Sequence, residues 1–204
     1  MRAKILRIYY TLIEQMLKPL VQSSVSPNAI SFVSLIASLA AGIMYAAGLF
    51  FSAGMILLLS GFLDTLDGTM ARLKGQSTRF GALLDSTFDR YADFIVFTGL
   101  LIYYRHHWML FIIILAILGS FMVSYIKARA EGLGAIRTVG FMQRPERVLL
   151  LVAGSILTVW SPVGHTEVPL IAAVCLLAVL ANITALHRLL AAKEDLSKQD
   201  MPGR

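Results

Sequence analysis

Four aspartates lie between long apolar runs, and this placement constrains the chain more than any other feature. The segment 64–89 reads DTLDGTMARLKGQSTRFGALLDSTFD and carries Asp64, Asp67, Asp85 and Asp89. Almost unbroken apolar runs precede it, up to residue 63, and follow it from residue 94. A carboxylate inside a membrane costs about 3 kcal/mol on insertion scales, so such residues point to a function and require a countercharge.

The composition predicts a polytopic membrane protein. Of the 204 residues, 57% are hydrophobic and 15% are charged, and the mean hydropathy is +0.74, which a soluble domain of this size rarely shows. Although the net charge is +6, the basic residues are dispersed at predicted helix ends without interleaved aromatic residues. We therefore expect no nucleic-acid partner. The single cysteine, Cys175, excludes an intramolecular disulfide framework.

Six apolar segments are predicted to cross the bilayer as helices, after an amphipathic helix. Residues 4–21 place apolar side chains at helical spacing opposite basic ones, which predicts an interfacial helix on the membrane surface. The chain then divides into an amphipathic juxtamembrane helix at 1–24, a six-helix transmembrane catalytic domain at 25–192 and a polar cytoplasmic tail at 193–204. The predicted spans are residues 27–48, 51–71, 82–104, 108–125, 145–160 and 168–190.

The distribution of basic residues predicts the orientation in the membrane. Of the 18 Lys and Arg residues, all except Arg105 lie near the termini or near the turns that follow the second and fourth spans. Because positive residues concentrate in cytoplasmic loops, we expect both termini and the aspartate segment on the cytoplasmic side of the cell membrane.

The spacing of the aspartates predicts a metal site. Asp64 and Asp67 share one face of a helix, and Asp85 and Asp89 share one face of the next. A short connection is expected to make these helices antiparallel neighbours, so the four carboxylates converge near the cytoplasmic boundary. Oxygen donors without a nearby cluster of His or Cys favour Mg²⁺ or Mn²⁺ over zinc.

The four acids allow two other interpretations. The aspartates could form purely structural ion pairs with Arg72, Arg79 and Arg90, or they could line a pathway for a cation or a proton. Four ordered acids exceed what a structural ion pair requires. Carriers place such acids near the midplane, whereas these cluster at one membrane face. We therefore favour the metal site.

The aspartate segment resembles the signature of the CDP-alcohol phosphotransferase family, and the resemblance extends over most of the chain. Members of that family transfer the phosphoryl-alcohol part of a CDP-linked lipid or alcohol to a hydroxyl acceptor and release CMP. The resemblance therefore implies an integral membrane enzyme, and a homodimer is the assembly expected of it. The matching positions are Asp64, Asp67, Gly68, Ala71, Arg72, Gly81, Asp85 and Asp89.

The resemblance also implies a role for individual residues. The four aspartates would hold one or two Mg²⁺ ions, or Mn²⁺, and Asp89 would also be the general base that takes the proton of the acceptor hydroxyl. A metal neutralises a pyrophosphate, and Arg72 can bind phosphate through two donors. The implied CDP-lipid contacts are Pro27, Asn28, Ala29, Ile30, Gly68, Ala71, Arg72 and Thr78.

The second substrate is predicted from the segments around 84–93 and 124–147. They resemble the branch of the family that contains prokaryotic phosphatidylinositol phosphate synthases and archaetidylinositol phosphate synthases. This resemblance implies transfer from CDP-diacylglycerol, or an ether-lipid analogue, to inositol 1-phosphate or another polyol phosphate. The residues expected at the acceptor phosphate are Lys127, Arg129, Arg144, Arg147 and Arg188. Ordinary positive-inside anchoring is the alternative for these residues, and glycerol 3-phosphate is the alternative acceptor.

Overall fold

The computed structural model describes residues 26–135, 139–159 and 166–200, and six α-helices account for most of this part of the chain. They are α1 (Pro27–Ala46), α2 (Phe50–Leu73), α3 (Arg79–Tyr103), α4 (Met109–Gly132), α5 (Arg144–Leu157) and α6 (Val168–Asp200). The described residues contain no strand. Helices α1, α2, α4 and α6 are long and apolar enough to cross a membrane, in agreement with the predicted all-α integral membrane class.

Each of these helices coincides with one of the predicted spans. Helix α4 continues to Gly132, past the end of its apolar part, and α6 continues through polar residues to Asp200. The first part of the predicted tail at 193–204 is therefore helical. The predicted amphipathic helix at 1–24 lies outside the described residues.

Two of the helices that carry site residues begin at side-chain caps. The hydroxyl of Ser26 accepts a hydrogen bond from the N–H of Ala29 at 3.2 Å, and Pro27 occupies the first turn of α1. The hydroxyl of Thr78 accepts from the N–H of Gly81 at 2.9 Å and starts α3 in the same way. These caps fix the positions at which α1 and α3 start.

The turn between α2 and α3 depends on Gly75, whose φ of +64° lies in the left-handed region. The N–H of Gly75 donates to the carbonyl of Arg72 at 3.2 Å, and the N–H of Gln76 donates to the carbonyl of Ala71 at 2.9 Å. These two bonds form a Schellman motif that ends α2 within one turn of its last site residues.

Helices α2 and α3 meet at their aspartates, as predicted, but among the described residues they do not pack along each other. Each of them packs against α1 instead. The reason on the α3 side is a close backbone contact, since a Cβ built on Gly99 would lie 2.1 Å from the carbonyl oxygen of Gly42. Only glycine fits at this crossing, and the ends of α2 and α3 remain separated by a gap.

The remaining helices close the bundle around one apolar core. Helix α5 packs against α2 and α6, and α6 packs against α4. Inside this core the Tyr45 hydroxyl is hydrogen bonded to the Ser155 hydroxyl at 2.6 Å, which connects α1 to α5. At the end of the bundle where α3 ends, Glu167 accepts hydrogen bonds from the hydroxyls of Tyr103 and Tyr104, the second at 2.7 Å. The site occupies the other end of α3.

Candidate functional site

Three aspartates meet across the gap between α2 and α3. One carboxylate oxygen each from Asp64, Asp67 and Asp85 lies within 4.8 Å of the other two. Asp67 is 3% exposed, and although Ser31 donates a hydrogen bond to it, its Oδ2 atom has no hydrogen-bond partner among the described residues. A buried carboxylate oxygen without a partner is costly, and a bound cation would satisfy it.

This cluster fits a divalent cation with hard ligands. Its donors are carboxylate oxygens alone, which Mg²⁺ and Mn²⁺ prefer. The structure thus brings together three of the four predicted metal ligands, Asp64, Asp67 and Asp85. The fourth, Asp89, lies on α3 one turn beyond Asp85 and contacts an arginine instead.

Arg144, the first residue of α5, supplies a countercharge to the aspartates. Its Nη1 atom lies 2.6 Å from Oδ2 of Asp64 and 2.6 Å from Oδ1 of Asp89, and its Nε lies 3.6 Å from Oδ1 of Asp93. Arginine stays protonated in proteins, so Arg144 is a cation between the acids, and the three carboxylates offset the cost of burying its charge.

Two of the three arginines that the alternative interpretation paired with the aspartates have other partners. Arg72 donates from Nη2 to the hydroxyl of Thr69 at 3.0 Å, and Arg90 donates to the carbonyl of Ser86. Neither forms a salt bridge with the four aspartates among the described residues. Structural pairing with these arginines does not explain the cluster.

A cavity of about 390 Å³ opens on one side of the cluster, and we call it the Asp67 cavity. It lies between the start of α1, the end of α2 and the start of α3, and both Asp67 and Asp85 line it. A Cβ built on Gly68 would have only an Arg72 nitrogen, at 3.9 Å, within 4 Å, so the space beside Gly68 is open. The predicted CDP-lipid contacts that line this cavity are Pro27, Asn28, Gly68, Ala71, Arg72 and Thr78.

Two predicted CDP-lipid contacts do not line the Asp67 cavity. Ile30 is 7% exposed and belongs to the packed interior of the bundle, while Ala29 is exposed one residue earlier on α1. Only the first two residues of the predicted 27–30 contact therefore reach the cavity in this structure.

A second cavity, of about 220 Å³, lies on the other side of the cluster, and we call it the Asp89 cavity. Residues of α3, α4, α5 and α6 line it. Five of them are basic and two are acidic, so the cavity favours an anion. The basic residues are Arg90, Lys127, Arg144, Arg147 and Arg188, and the acidic ones are Asp89 and Asp93.

The predicted acceptor residues have different places in this cavity. Arg144 and Arg147 project from the first turn of α5, and Lys127, from α4, lies 3.8 Å from Glu131 in an exposed ion pair. Arg129 is exposed and does not line either cavity within the described part of the chain. The structure thus brings together four of the five residues expected at the acceptor phosphate.

Arg188 has a structural role in addition to lining the Asp89 cavity. It is 6% exposed, and its Nε and Nη1 atoms donate to the backbone carbonyls of Val139 and Val123 at 2.8 and 2.7 Å. These bonds use two of its five N–H donors and attach the α4–α5 connection to α6.

Asp93 was not singled out from the sequence. Its Oδ2 atom lies 2.8 Å from Nη2 of Arg147, which is 4% exposed. A buried arginine needs an acidic partner, and Asp93 lies four residues after Asp89 on the same face of α3. That spacing was the one available signal.

Most of the chain is similar in sequence to known proteins. The sequence model of the CDP-alcohol phosphatidyltransferase family matches residues 24–183. The phosphatidylinositol phosphate synthase of Mycobacteroides abscessus is 34% identical over 187 residues, which cover 89% of this chain and 84% of that protein. The archaetidylinositol phosphate synthase of Methanothermobacter thermautotrophicus is 36% identical over 171 residues, which cover 79% and 80%.

The fold is similar to that of a solved enzyme, the phosphatidylinositol phosphate synthase of Mycobacterium tuberculosis. Its crystal structure in complex with manganese and citrate gives a TM-score of 0.82 at 31% identity, over 94% of this chain and 93% of that one. Its crystal structure with CDP-DAG bound gives 0.78 at 30% identity, over 97% and 100%.

Proposed function

The chain belongs to the CDP-alcohol phosphatidyltransferase family, whose members are metal-dependent transferases, and we propose that it transfers the phosphatidyl group of CDP-diacylglycerol to inositol 1-phosphate. An ether-lipid analogue is an equivalent donor, and CMP is the second product. One observation carries the proposal. Two cavities of different charge lie beside aspartates on successive turns of α3, Asp85 in one and Asp89 in the other, and each is lined by residues expected for one of the two substrates.

The Asp67 cavity suits the CDP part of the donor. Arg72 can bind a phosphate oxygen pair through two N–H donors, and the start of α1 at Pro27 and Asn28 offers the positive end of a helix. The open space beside Gly68 leaves room for the nucleotide. A divalent cation held by Asp64, Asp67 and Asp85 would neutralise the pyrophosphate and stabilise the charge that develops during transfer.

The transfer is an in-line displacement in which Asp89 accepts the proton of the attacking hydroxyl group. The acceptor hydroxyl attacks the phosphorus that carries the diacylglycerol, and a new oxygen–phosphorus bond forms. The bond from that phosphorus to the bridging oxygen breaks, so CMP leaves with the bridging oxygen. Asp89 lines the Asp89 cavity and takes the hydroxyl proton on its carboxylate. An acceptor phosphate would offer Arg144 an anionic partner in place of Asp89, which frees Asp89 to act as the base.

The charge of the Asp89 cavity supports a phosphorylated acceptor. A neutral acceptor such as inositol or serine would not require five basic side chains against two acids. Inositol 1-phosphate is favoured over glycerol 3-phosphate because the similar enzymes described above are named for inositol phosphate products.

The arrangement in the membrane is part of the same proposal. The protein spans the cell membrane six times as a homodimer, with both termini and the two cavities on the cytoplasmic side. Helices α3 and α5 count as spans although they are less apolar, because their charged residues gather at the end that bears the site. The lipid tails of the donor then lie between helices while its head group reaches the aspartates.

The test of the function is CMP release from the purified protein supplied with CDP-diacylglycerol and Mg²⁺. Four acceptors are compared, namely inositol 1-phosphate, inositol, glycerol 3-phosphate and serine. We expect release to be fastest with inositol 1-phosphate, to stop with EDTA and to resume when Mg²⁺ or Mn²⁺ is added back. Release with glycerol 3-phosphate alone would reassign the acceptor, and release with none of the four would contradict the proposal.

A further inference from the structure

Among the residues that the structure describes, one carboxylate, that of Asp93, pairs with the buried guanidinium of Arg147. Its Nη2 atom lies 2.8 Å from Oδ2 of Asp93, and its Nη1 atom donates to the carbonyl of Met142 at 3.4 Å. Its Nε has no hydrogen-bond partner among the described residues. Removing one partner of a buried ion pair leaves an uncompensated charge, which is strongly unfavourable. Asp93 therefore supplies the countercharge that stabilises Arg147 in this buried position.

The other oxygen of the same carboxylate faces the second arginine. Oδ1 of Asp93 lies 3.6 Å from Nε of Arg144, three residues before Arg147 on α5. The two arginines project from one turn of a helix into one cavity, where their like charges repel. Asp93 lies between them and offsets that repulsion.

Asp89 cannot take over this task. It is the second acid of the Asp89 cavity, and in the proposed reaction it must be free to accept a proton. Asp89 already lies 2.6 Å from Arg144, and a second ion pair with Arg147 would hold the base more tightly. Asp93, one helical turn further along α3, supplies the countercharge of Arg147 instead.

We propose that Asp93 is a positioning residue for the acceptor, because it holds Arg147 in the Asp89 cavity so that this arginine is in place for a phosphate before the acceptor binds. The inference rests on the proposed function. Asp93 acts through Arg147. Its effect is therefore confined to the acceptor and does not extend to CDP-diacylglycerol.

The substitution Asp93→Asn tests this, since asparagine keeps the size of the side chain and removes its charge. Hydrogen bonds to charged groups contribute about 1.5–3 kcal/mol, so we expect KM for inositol 1-phosphate to rise by about 10- to 100-fold. KM for CDP-diacylglycerol and the affinity for Mn²⁺, measured by electron paramagnetic resonance, should be unchanged. Asp93→Glu should restore part of the affinity for the acceptor.

A double-mutant cycle separates positioning from general damage. If Asp93 acts through Arg147, then Asp93→Asn combined with Arg147→Gln should resemble Arg147→Gln alone in its KM for inositol 1-phosphate. Glu167→Gln is the matched control, because it weakens a half-buried carboxylate contact at the far end of the bundle. It should lower Tm without changing either KM. An additive double mutant, or an Asp93→Asn enzyme whose two KM values rise equally, would overturn the proposal.

Phosphate binding can be measured even if the protein does not catalyse the proposed reaction. Wild-type protein that releases no CMP with inositol 1-phosphate would contradict the proposed function, whereas binding of inorganic phosphate, measured by calorimetry, needs no turnover. We expect Asp93→Asn to weaken this binding by about tenfold or more. Equal phosphate binding by wild type and variant, or no binding by the wild type, would overturn the role of Asp93.

Discussion

Asp67 and Asp89 are carboxylates of one motif with different surroundings, and the difference assigns them different tasks. Asp67 is almost fully buried, belongs to the cluster of three carboxylate oxygens and keeps one oxygen without a protein partner. Asp89 lies outside that cluster and lines the Asp89 cavity beside Arg144. We infer that Asp67 holds a cation, while Asp89 is placed for proton transfer.

Substitution of each aspartate by asparagine separates the two tasks. Asp89→Asn should lower kcat by about 10²- to 10⁴-fold, the usual contribution of general base catalysis, and should leave Mn²⁺ and CDP-diacylglycerol binding in place. Asp67→Asn should instead weaken Mn²⁺ binding, because the cluster loses a charged ligand. Steady-state kinetics and Mn²⁺ titration provide the two readouts. Retained turnover in Asp89→Asn would remove this residue as the base.

At the level of helices, α1 is the element that holds the site open. Helices α2 and α3 carry the aspartates but pack against α1 rather than against each other. The contact between Gly42 and Gly99 lets the backbones of α1 and α3 touch, and the gap that remains between α2 and α3 is bridged by carboxylates. A packed α2–α3 pair would leave no room for a nucleotide.

Gly99→Ala tests this crossing. The added Cβ would overlap the carbonyl of Gly42, and overpacking of this kind destabilises by about 1–3 kcal/mol or more. We expect a clear fall in Tm of the protein in detergent. Gly132→Ala is the matched control, because a Cβ there meets nothing within 4 Å, and its Tm should stay the same or rise. Equal Tm values for the two variants would show that α1 and α3 do not cross so closely.

Local sequence signals predicted the helices and the shared faces, but not which helices pack together. The span predicted to begin at residue 27 begins where α1 does, and the spacing of the aspartates predicted a convergence that three of the four carboxylates show. The packing of α2 and α3 against α1 was not predicted, because helical spacing defines a face but not the helix that covers it. The contact of Arg144 with Asp64 joins residues 80 positions apart, and such a contact depends on tertiary packing. The role of Asp93 was missed for the same reason.

The whole molecule combines a lipid-embedded bundle with a polar site at one end. The residues of both cavities lie on helix ends that carry most of the basic side chains, whereas Arg105 is the lone basic residue at the turns on the other side. The tyrosines and Glu167 hold that other end together. This asymmetry is the basis of the cytoplasmic orientation that we propose.

Labelling of single cysteines in intact cells tests that orientation. The natural Cys175 is first replaced by serine, and Ser77→Cys in the α2–α3 turn is compared with His106→Cys in the α3–α4 turn, both at exposed positions. We expect an impermeant maleimide to label only His106→Cys in intact cells and both variants after lysis. Labelling of Ser77→Cys before lysis would place the site on the outer face.

In the proposed enzyme, CDP-diacylglycerol binds in the Asp67 cavity and inositol 1-phosphate binds in the Asp89 cavity. Measuring KM for both substrates in two arginine variants tests this assignment most directly. Arg72 lines the Asp67 cavity and Arg147 lines the Asp89 cavity. We predict that Arg72→Gln raises KM for CDP-diacylglycerol by about tenfold or more, and Arg147→Gln raises KM for inositol 1-phosphate by as much, each leaving the other value unchanged. If either variant raised both KM values equally, or if both variants affected the same substrate, the division of the site would be contradicted.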